Sequence, residues 1–293
     1  MSRTTLFVVL LAGAVASAAS AQAFTISYLD GLVELQTAKG WTAVAVGDKV
    51  AADATVRLSQ DGSLELVRDR TRVTLLKPGV YSVAGVSTAG KNGPGGIGAL
   101  VAQKLQTLVA EKPKSTAAGG VRAEQQGVPD ISWVDENDEV RLKAQNLLDE
   151  RRYAEATNYL EGAIKDAGPD GDTAELSCML GAAYYGRGQL ARSFRALLQV
   201  SPSPDAPWFG RYVLLRAQIL VDTQNYADAL NLLTPFVAAY PTGEAAQVAW
   251  LLSGLCQKGL GNIAAAKSAL DSGFQLDPGT DTAKLIDQQR RAL

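Results

Sequence analysis

The chain of 293 residues is long enough for about two domains, and its 28 basic and 30 acidic residues give a formal net charge of −2. This balance, without a long basic run, argues against nucleic acid as a partner. The chain contains no histidine, which removes the usual general base, the commonest metal ligand and the base of a Ser-His or Cys-His pair. We therefore expect no enzymatic activity, no metal and no cofactor.

Residues 1–23 have the pattern of a secretory signal peptide. Arg3 precedes a short apolar run, which is followed by small residues up to Ala21-Gln22-Ala23. A positive start, a short hydrophobic region and an A-x-A site are the features of such peptides. We expect cleavage after Ala23 and export to the periplasm or the cell exterior, with an uncleaved anchor helix as the alternative. No later segment is long and apolar enough to predict a transmembrane helix.

Residues 24–88 alternate between apolar and polar positions and are interrupted by turn residues. The sequences TVRLS and SLELVRD flank Asp61-Gly62, which predicts a β-hairpin. Pro78-Gly79 marks another turn. Five to seven short strands at this spacing predict a small sandwich or an open barrel.

The order of turn residues in this segment resembles that of FecR-like periplasmic domains. Gly-x-Val is followed by Gly-Trp, Val-Gly-Asp-x-Val, Asp-Gly-Ser-x-x-Leu and Lys-Pro-Gly. The resemblance implies an all-β module of an exported envelope protein. The sensor role of some such domains is not expected, because no membrane anchor and cytoplasmic tail frame the segment. The residues that carry the resemblance are Gly31, Val33, Gly40, Trp41, Val46, Gly47, Asp48, Val50, Asp61, Gly62, Ser63 and Pro78.

Residues 89–130 form a glycine-rich linker that contains Gly93-x-Gly95-x-x-Gly98. This spacing is found in dinucleotide-binding turns, which also need a buried strand before the glycines and an acidic strand end about 20 residues later. The flanking sequences VSTAGKN and EKPKSTAAGG supply neither. We interpret the glycines as a flexible break before a helix at about 96–111. Its apolar stripe, which includes Leu100, Leu105 and Leu108, is expected to pack against the body of the protein.

Residues 131–293 carry one pattern in four copies. Small residues recur at spacings of 37, 36 and 37 positions, at Ala156, Ser193, Ala229 and Ala266. Another small residue lies twelve positions before each, at Ala144, Gly181, Ala217 and Gly254. A leucine follows at plus four and a proline at plus eleven to thirteen, namely Leu160, Leu197, Leu233 and Leu270, and Pro169, Pro204, Pro241 and Pro278. Such a period indicates a stack of similar units.

We interpret each unit as two helices that approach most closely at the two small residues. The leucine continues the same helix face at i+4, and the proline ends the second helix. The pattern resembles the tetratricopeptide repeat, most clearly at Trp250, Gly254, Ala266 and Pro278. The resemblance implies a helical superhelix with repeats at about 137–170, 174–207, 210–243 and 247–280. The sequence TAKLIDQQRRAL is then a C-terminal capping helix, and the whole chain is an α+β multidomain protein.

The repeat assignment also decides how we interpret the cysteines and the densest acidic cluster. Cys178 and Cys256 fall in the first helices of the second and fourth repeats. Because a repeat contacts mainly its immediate neighbours, the distance between their Cα atoms should exceed the limit of about 7 Å for a disulfide. We therefore predict free thiols that pack as small hydrophobic residues.

The acidic sequence DENDE at 135–139 is interpreted as the cap of a helix N-terminus rather than a calcium or catalytic site.

The first helices of the repeats supply the candidate functional residues. In proteins that the repeats resemble, these helices line a groove that holds an extended or helical peptide. The residues expected to face the groove are Arg141, Gln145, Tyr185, Arg211, Gln218, Asp222 and Lys258. Their mixed charges differ from a uniformly basic clamp for a terminal carboxylate. The alternative is a solvated face without a ligand.

Two functions of different classes follow. The first is a non-enzymatic exported scaffold of the cell envelope that binds a protein or peptide partner through the groove. The alternative is a cell-wall or carbohydrate-binding module, for example for peptidoglycan, in which the β domain reads the ligand and the repeats serve as a spacer.

Overall fold

The computed structural model describes residues 23–89, 136–169 and 171–293. The chain divides into two compact units between Gly93 and Pro94. The first unit is built mainly from antiparallel strands and the second from helices, so the predicted α+β class is confirmed. The expected signal peptide and the expected linker helix at about 96–111, with Leu100, Leu105 and Leu108, lie outside the described residues.

The first unit consists of two four-stranded antiparallel sheets, with strand orders β4-β1-β6-β7 and β3-β2-β5-β8. Its elements are β1 (Phe24–Asp30), β2 (Val33–Thr37), β3 (Gly40–Ala43), β4 (Lys49–Val50), β5 (Thr55–Leu58), β6 (Ser63–Arg68), β7 (Thr71–Leu75), β8 (Gly79–Ser82) and α1 (Val83–Ala89). Apolar residues from both sheets, including Ile26, Val33, Val56 and Leu66, share one buried core. This arrangement is a small sandwich.

The prediction of a β-hairpin around Asp61-Gly62 is wrong, because the two flanking strands do not pair with each other. Strand β5 pairs with β2 and β8, whereas β6 pairs with β1 and β7 in the other sheet. Gly62 has a negative φ, and it is needed for space, because a Cβ there would lie 2.9 Å from the backbone nitrogen of Ser59. The turn therefore carries the chain between the sheets. Alternation of apolar residues predicts the strands but not the sheet that each one joins.

The second unit is a succession of packed helices. The described helices are α2 (Glu136–Asp149), α3 (Tyr153–Ala167), α4 (Ala174–Gly186), α5 (Leu190–Leu198), α6 (Phe209–Asp222), α7 (Tyr226–Ala239), α8 (Gly243–Gly259), α9 (Ile263–Leu276) and α10 (Asp281–Arg291). Each helix packs against the next, and α2, α4, α6 and α8 also contact the next helix but one. We call α2, α4, α6 and α8 the first helices of four successive hairpins.

The small residues of the repeat lie where the helices of a hairpin approach closely, as predicted. A Cβ on Gly254 would lie 2.5 Å from Cγ of Leu270, and one on Gly181 would lie 3.0 Å from Leu197. The Ser193 hydroxyl donates to the backbone oxygen of Gly181 across 2.7 Å. The four repeat leucines are fully or almost fully buried, at Leu160, Leu197, Leu233 and Leu270.

Tyrosine rings occupy the space beside glycines of the following hairpin. A Cβ on Gly186 would lie 2.6 Å from the Tyr153 ring, and one on Gly259 would lie 2.4 Å from the Tyr226 ring. The two tyrosines lie at equivalent positions of the first and third hairpins, and each packs against a glycine of the next hairpin. A larger residue at either glycine would displace the tyrosine ring, so these contacts fix how successive hairpins pack.

The prolines follow most of the second helices closely. Helices α3, α7 and α9 end two residues before Pro169, Pro241 and Pro278. Helix α5 ends at Leu198, six residues before Pro204, and residues 199–208 connect it to α6. Proline is therefore a stop signal for three of these helices, whereas α5 ends earlier.

Both cysteines are free and buried, as predicted, with Cys178 on α4 and Cys256 on α8. Helix α2 begins at Glu136 within the acidic sequence, and Asp138 forms an ion pair with Arg141 one turn later. Asp135 lies outside the described residues.

Candidate functional site

The first helices bring six of the seven candidate residues into two clusters that hydrogen bonds and ion pairs hold together. The Arg211 cluster consists of Arg141, Gln145, Glu175 and Arg211, and the Asp222 cluster consists of Tyr185, Gln218 and Asp222. Lys258 on α8 belongs to neither cluster. Its ammonium group donates to the backbone oxygen of Ala292 at the end of α10, across 3.2 Å.

One guanidinium group organises the Arg211 cluster. Arg211 Nη2 lies 3.1 Å from Oε1 of Glu175, and its Nη1 donates to Oε1 of Gln145 across 3.3 Å. Arg141 Nη1 lies 3.9 Å from the other carboxylate oxygen of Glu175. The Arg211 side chain is only 11% exposed. Side chains from α2, α4 and α6 thus meet at one point on the face that the first helices share, and we call this shared face the inner face.

Sequence reasoning missed Glu175, although a signal was present. Asp138, Glu175 and Arg211 are 37 and 36 residues apart, so they occupy the same repeat position on consecutive first helices. A charged residue recurring at one position of a stacked repeat is placed beside its own equivalents. The change from an acidic to a basic residue between Glu175 and Arg211 predicts the observed ion pair between them.

The Cys178 thiol lies beside the Arg211 cluster and is fully buried. Burial raises the pKa of Cys178 to about 11, although the nearby Arg211 guanidinium acts in the opposite direction. A thiol with so high a pKa is neutral at physiological pH and is a poor nucleophile. This residue therefore packs as a small hydrophobic side chain.

The Asp222 cluster connects α4 with α6. The Tyr185 hydroxyl donates to Asp222 Oδ2 across 2.6 Å, and Gln218 Nε2 donates to Oδ1 across 2.7 Å. Burial raises the pKa of Asp222 to about 6, despite these two hydrogen bonds, which favour the ionised form. Burial and the neighbouring Asp222 carboxylate raise the pKa of Tyr185 above its ordinary value.

The two clusters differ in how their carboxylates are compensated. Glu175 has two arginine partners, Arg211 and Arg141. Among the residues that the structure describes, no lysine or arginine forms an ion pair with Asp222. Gln218 is completely buried, and its Oε1 has no hydrogen-bond partner within the described part of the chain.

The β unit offers a second polar surface on the sheet β3-β2-β5-β8. The Arg57 guanidinium lies 4.5 Å from the centre of the Trp41 ring, and its Nε and Nη2 donate to Glu34 Oε2 across 2.8 and 2.6 Å. Glu34 and Arg57 face each other on adjacent strands, and Trp41 lies on the next strand along. One face of the indole is therefore covered by a cation that a carboxylate holds in place.

Within residues 23–89, 136–169 and 171–293, no three His, Cys, Asp or Glu side chains are arranged to hold a metal ion. In the same ranges no helix combines the length and apolar character that a membrane span requires.

These features define a class: an α+β protein with a small β-sandwich and a stack of helical hairpins whose inner face is polar. Comparison with known proteins does not narrow this class, since no protein-family model matches the chain and no curated protein matches it significantly.

Proposed function

We propose that this protein is an exported, non-enzymatic scaffold of the cell envelope that binds a protein partner along the inner face of its first helices. In this proposal the sandwich is a FecR-like domain and the hairpins are tetratricopeptide-like repeats that form a superhelix. The observation that carries the proposal is the convergence of side chains from α2, α4 and α6 on the Arg211 guanidinium. Such a face offers an extended segment charged and polar groups from several successive repeats at once.

The contacts of the candidate residues determine which of them are suitable probes. Arg211 is largely buried and bonded to two other helices, so its replacement changes stability as well as any binding. Arg141 lies on the same face with 38% of its side chain exposed. Lys143 is a matched control on the same helix, because its ammonium group lies 4.4 Å from the centre of the Tyr159 ring, on the side towards α3.

The test is in-cell crosslinking of the full chain, followed by mass spectrometry of the captured proteins. We expect Arg141→Glu to reduce capture of the main partner about tenfold, whereas Lys143→Glu leaves it unchanged. The helical circular dichroism signal should be equal for the two variants. Equal capture by Arg141→Glu and Lys143→Glu would refute the inner face as the binding surface.

The alternative function, a cell-wall or carbohydrate-binding module, has one observation in its favour. Trp41 presents an aromatic ring beside a carboxylate and a guanidinium on the outer side of a sheet, and such groups can stack against and hydrogen-bond to a sugar. Sedimentation of the full chain with purified peptidoglycan distinguishes the two functions. Binding that Trp41→Ala abolishes and Arg141→Glu leaves unchanged supports the alternative.

A further inference from the structure

The Asp222 cluster has a negative charge without a counter-charge. On the same inner face, Glu175 lies between Arg211 and Arg141, whereas the described residues place no cation within ion-pair distance of Asp222. A partly buried carboxylate is costly to desolvate unless a positive group accompanies it. The protein therefore keeps an uncompensated carboxylate at Asp222, whereas Glu175 on the same face has two arginine partners.

The acceptor groups of the cluster exceed its donors. Tyr185 and Gln218 each give one hydrogen bond to Asp222, one to each carboxylate oxygen. A carboxylate has about four acceptor sites, so each oxygen retains one. The Gln218 Oε1 atom is buried and without a partner. The cluster can therefore accept further hydrogen bonds from a ligand that has several donor groups.

The groups described around Asp222 supply no positive charge, and Lys258 on the adjacent α8 donates to the backbone oxygen of Ala292 without forming an ion pair with Asp222. From α4 it faces Tyr185, from α6 Gln218, and from α7 the Tyr226 side chain, whose pKa is raised by burial and by the charges of Cys256 and Asp222. The tyrosines are neutral hydroxyls at physiological pH. Burial also raises the pKa of Cys256 to about 12, so that thiol is neutral.

We propose that the Asp222 cluster is the binding site for one cationic side chain, a lysine or an arginine, of the protein partner. This inference rests on the proposed function and specifies the chemistry of the segment that the inner face binds. The cation supplies the missing charge, and its N–H groups donate to the free acceptor sites of the partly buried Asp222 carboxylate. A metal ion is a poorer occupant, because the described cluster offers a single carboxylate where calcium takes six to eight oxygen ligands.

The site has a predictable dependence on pH. A cation binds the ionised carboxylate, and burial raises the pKa of Asp222 to about 6. The affinity for the cation should therefore rise between about pH 5 and pH 7 and then level off. Removal of the Tyr185 hydroxyl by Tyr185→Phe eliminates a hydrogen bond that favours the ionised form, so the midpoint of this rise should move to higher pH.

The chain contains a matched control for this site. Gln145 Nε2 donates to Asp149 Oδ1 across 2.8 Å, which is the same i,i+4 arrangement as Gln218 and Asp222, 73 positions earlier. Asp149 is exposed to solvent. Asp149→Asn and Asp222→Asn thus make the same chemical change at equivalent repeat positions, once in water and once in the cluster.

The test uses the full chain and small probes instead of the unidentified partner. Nα-acetyl-lysine methylamide and Nα-acetyl-arginine methylamide are titrated into the labelled protein at constant ionic strength and followed by NMR, with the norleucine analogue as the neutral control. We expect at least one cationic probe to shift resonances near residues 218–222. Its affinity should fall roughly tenfold in Asp222→Asn and remain unchanged in Asp149→Asn.

The outcomes separate this inference from the proposed function. Absence of a response to both cationic probes, an equal response to the norleucine analogue, or equal affinity in Asp222→Asn would overturn the cation site. If the crosslinked partner is still lost in Arg141→Glu but is retained in Asp222→Asn, the scaffold function stands and the cation site does not. Loss of the partner in both variants, together with probe binding that depends on Asp222, supports both.

Discussion

The Arg211 guanidinium donates a hydrogen bond across 3.3 Å to the side-chain oxygen of Gln145, which lies 66 residues earlier in the chain and two first helices away. The same guanidinium holds Glu175 on the intervening helix. A single side chain thus ties together α2, α4 and α6, which otherwise contact mainly their neighbours. This contact links the placement of the first hairpin to that of the third.

We predict that Arg211→Ala lowers the free energy of unfolding by about 1–3 kcal/mol, because it removes a largely buried donor from Glu175 and Gln145. Urea unfolding of the full chain measures the change. Arg291→Ala is the control, since its ion pair with Asp287 is exposed and should contribute less than about 1 kcal/mol. Equal effects of the two changes would contradict the tie between the three helices.

Two glycines of the helical unit, Gly254 and Gly162, should respond in opposite ways to substitution by alanine. Gly254→Ala places a Cβ 2.5 Å from Leu270 Cγ and should cost about 1–3 kcal/mol by overpacking. Gly162→Ala in α3 meets no atom within 4 Å and should stabilise the protein by up to about 1 kcal/mol through helix propensity. Thermal unfolding of both variants tests the prediction, and destabilisation by both would contradict it.

Asp222 should make the stability of the protein depend on pH with a definite sign. Its pKa is about 6 in the folded state, against an ordinary value of 3.8 for an aspartate, so the folded state binds more protons than the unfolded state between these values. Its stabilising contribution is therefore complete below about pH 4 and is lost as the pH rises through about 6. The free energy of unfolding relative to Asp222→Asn should fall by about 2 kcal/mol over this interval.

The measurement is urea unfolding of the wild-type chain and of Asp222→Asn at several pH values. Taking the difference between the two proteins cancels the titration of the other carboxylates. Asp149→Asn, the same change at the exposed equivalent position, is the matched control. A flat difference between wild type and Asp222→Asn would show that the carboxylate is not perturbed by burial.

The cysteines should be unreactive in the folded protein. Burial raises the pKa of Cys178 to about 11 and that of Cys256 to about 12, so the thiolate fraction near pH 8 is very small. We expect alkylation by iodoacetamide to be negligible in the native chain and complete in denaturant, as measured by mass spectrometry. A bridge between Cys178 and Cys256 in the native protein would contradict their placement on α4 and α8.

The helical unit was more predictable than the β unit for a physical reason. Close packing leaves a signature in the sequence where only a small side chain fits, as at Gly181 and Gly254, and a fixed period repeats it. Gly62 is also required by close packing, but no repeat period shows which strands its turn connects. Its tight geometry fits a hairpin or a crossing between sheets equally well, and the pairing of β5 with β2 and β8 depends on residues distant in the chain.

The sequence by itself determined the α+β class, the positions of the small residues and leucines that join each helical hairpin, and the free state of the two cysteines, because these follow from local periodicity and spacing. Only the tertiary structure decided which candidate residues share a cluster and which charges are compensated. Arg211 and Asp222 look alike in the sequence as polar residues of one helix face. Their difference lies in the helices packed beside them, which supply Glu175 to one and a neutral tyrosine to the other.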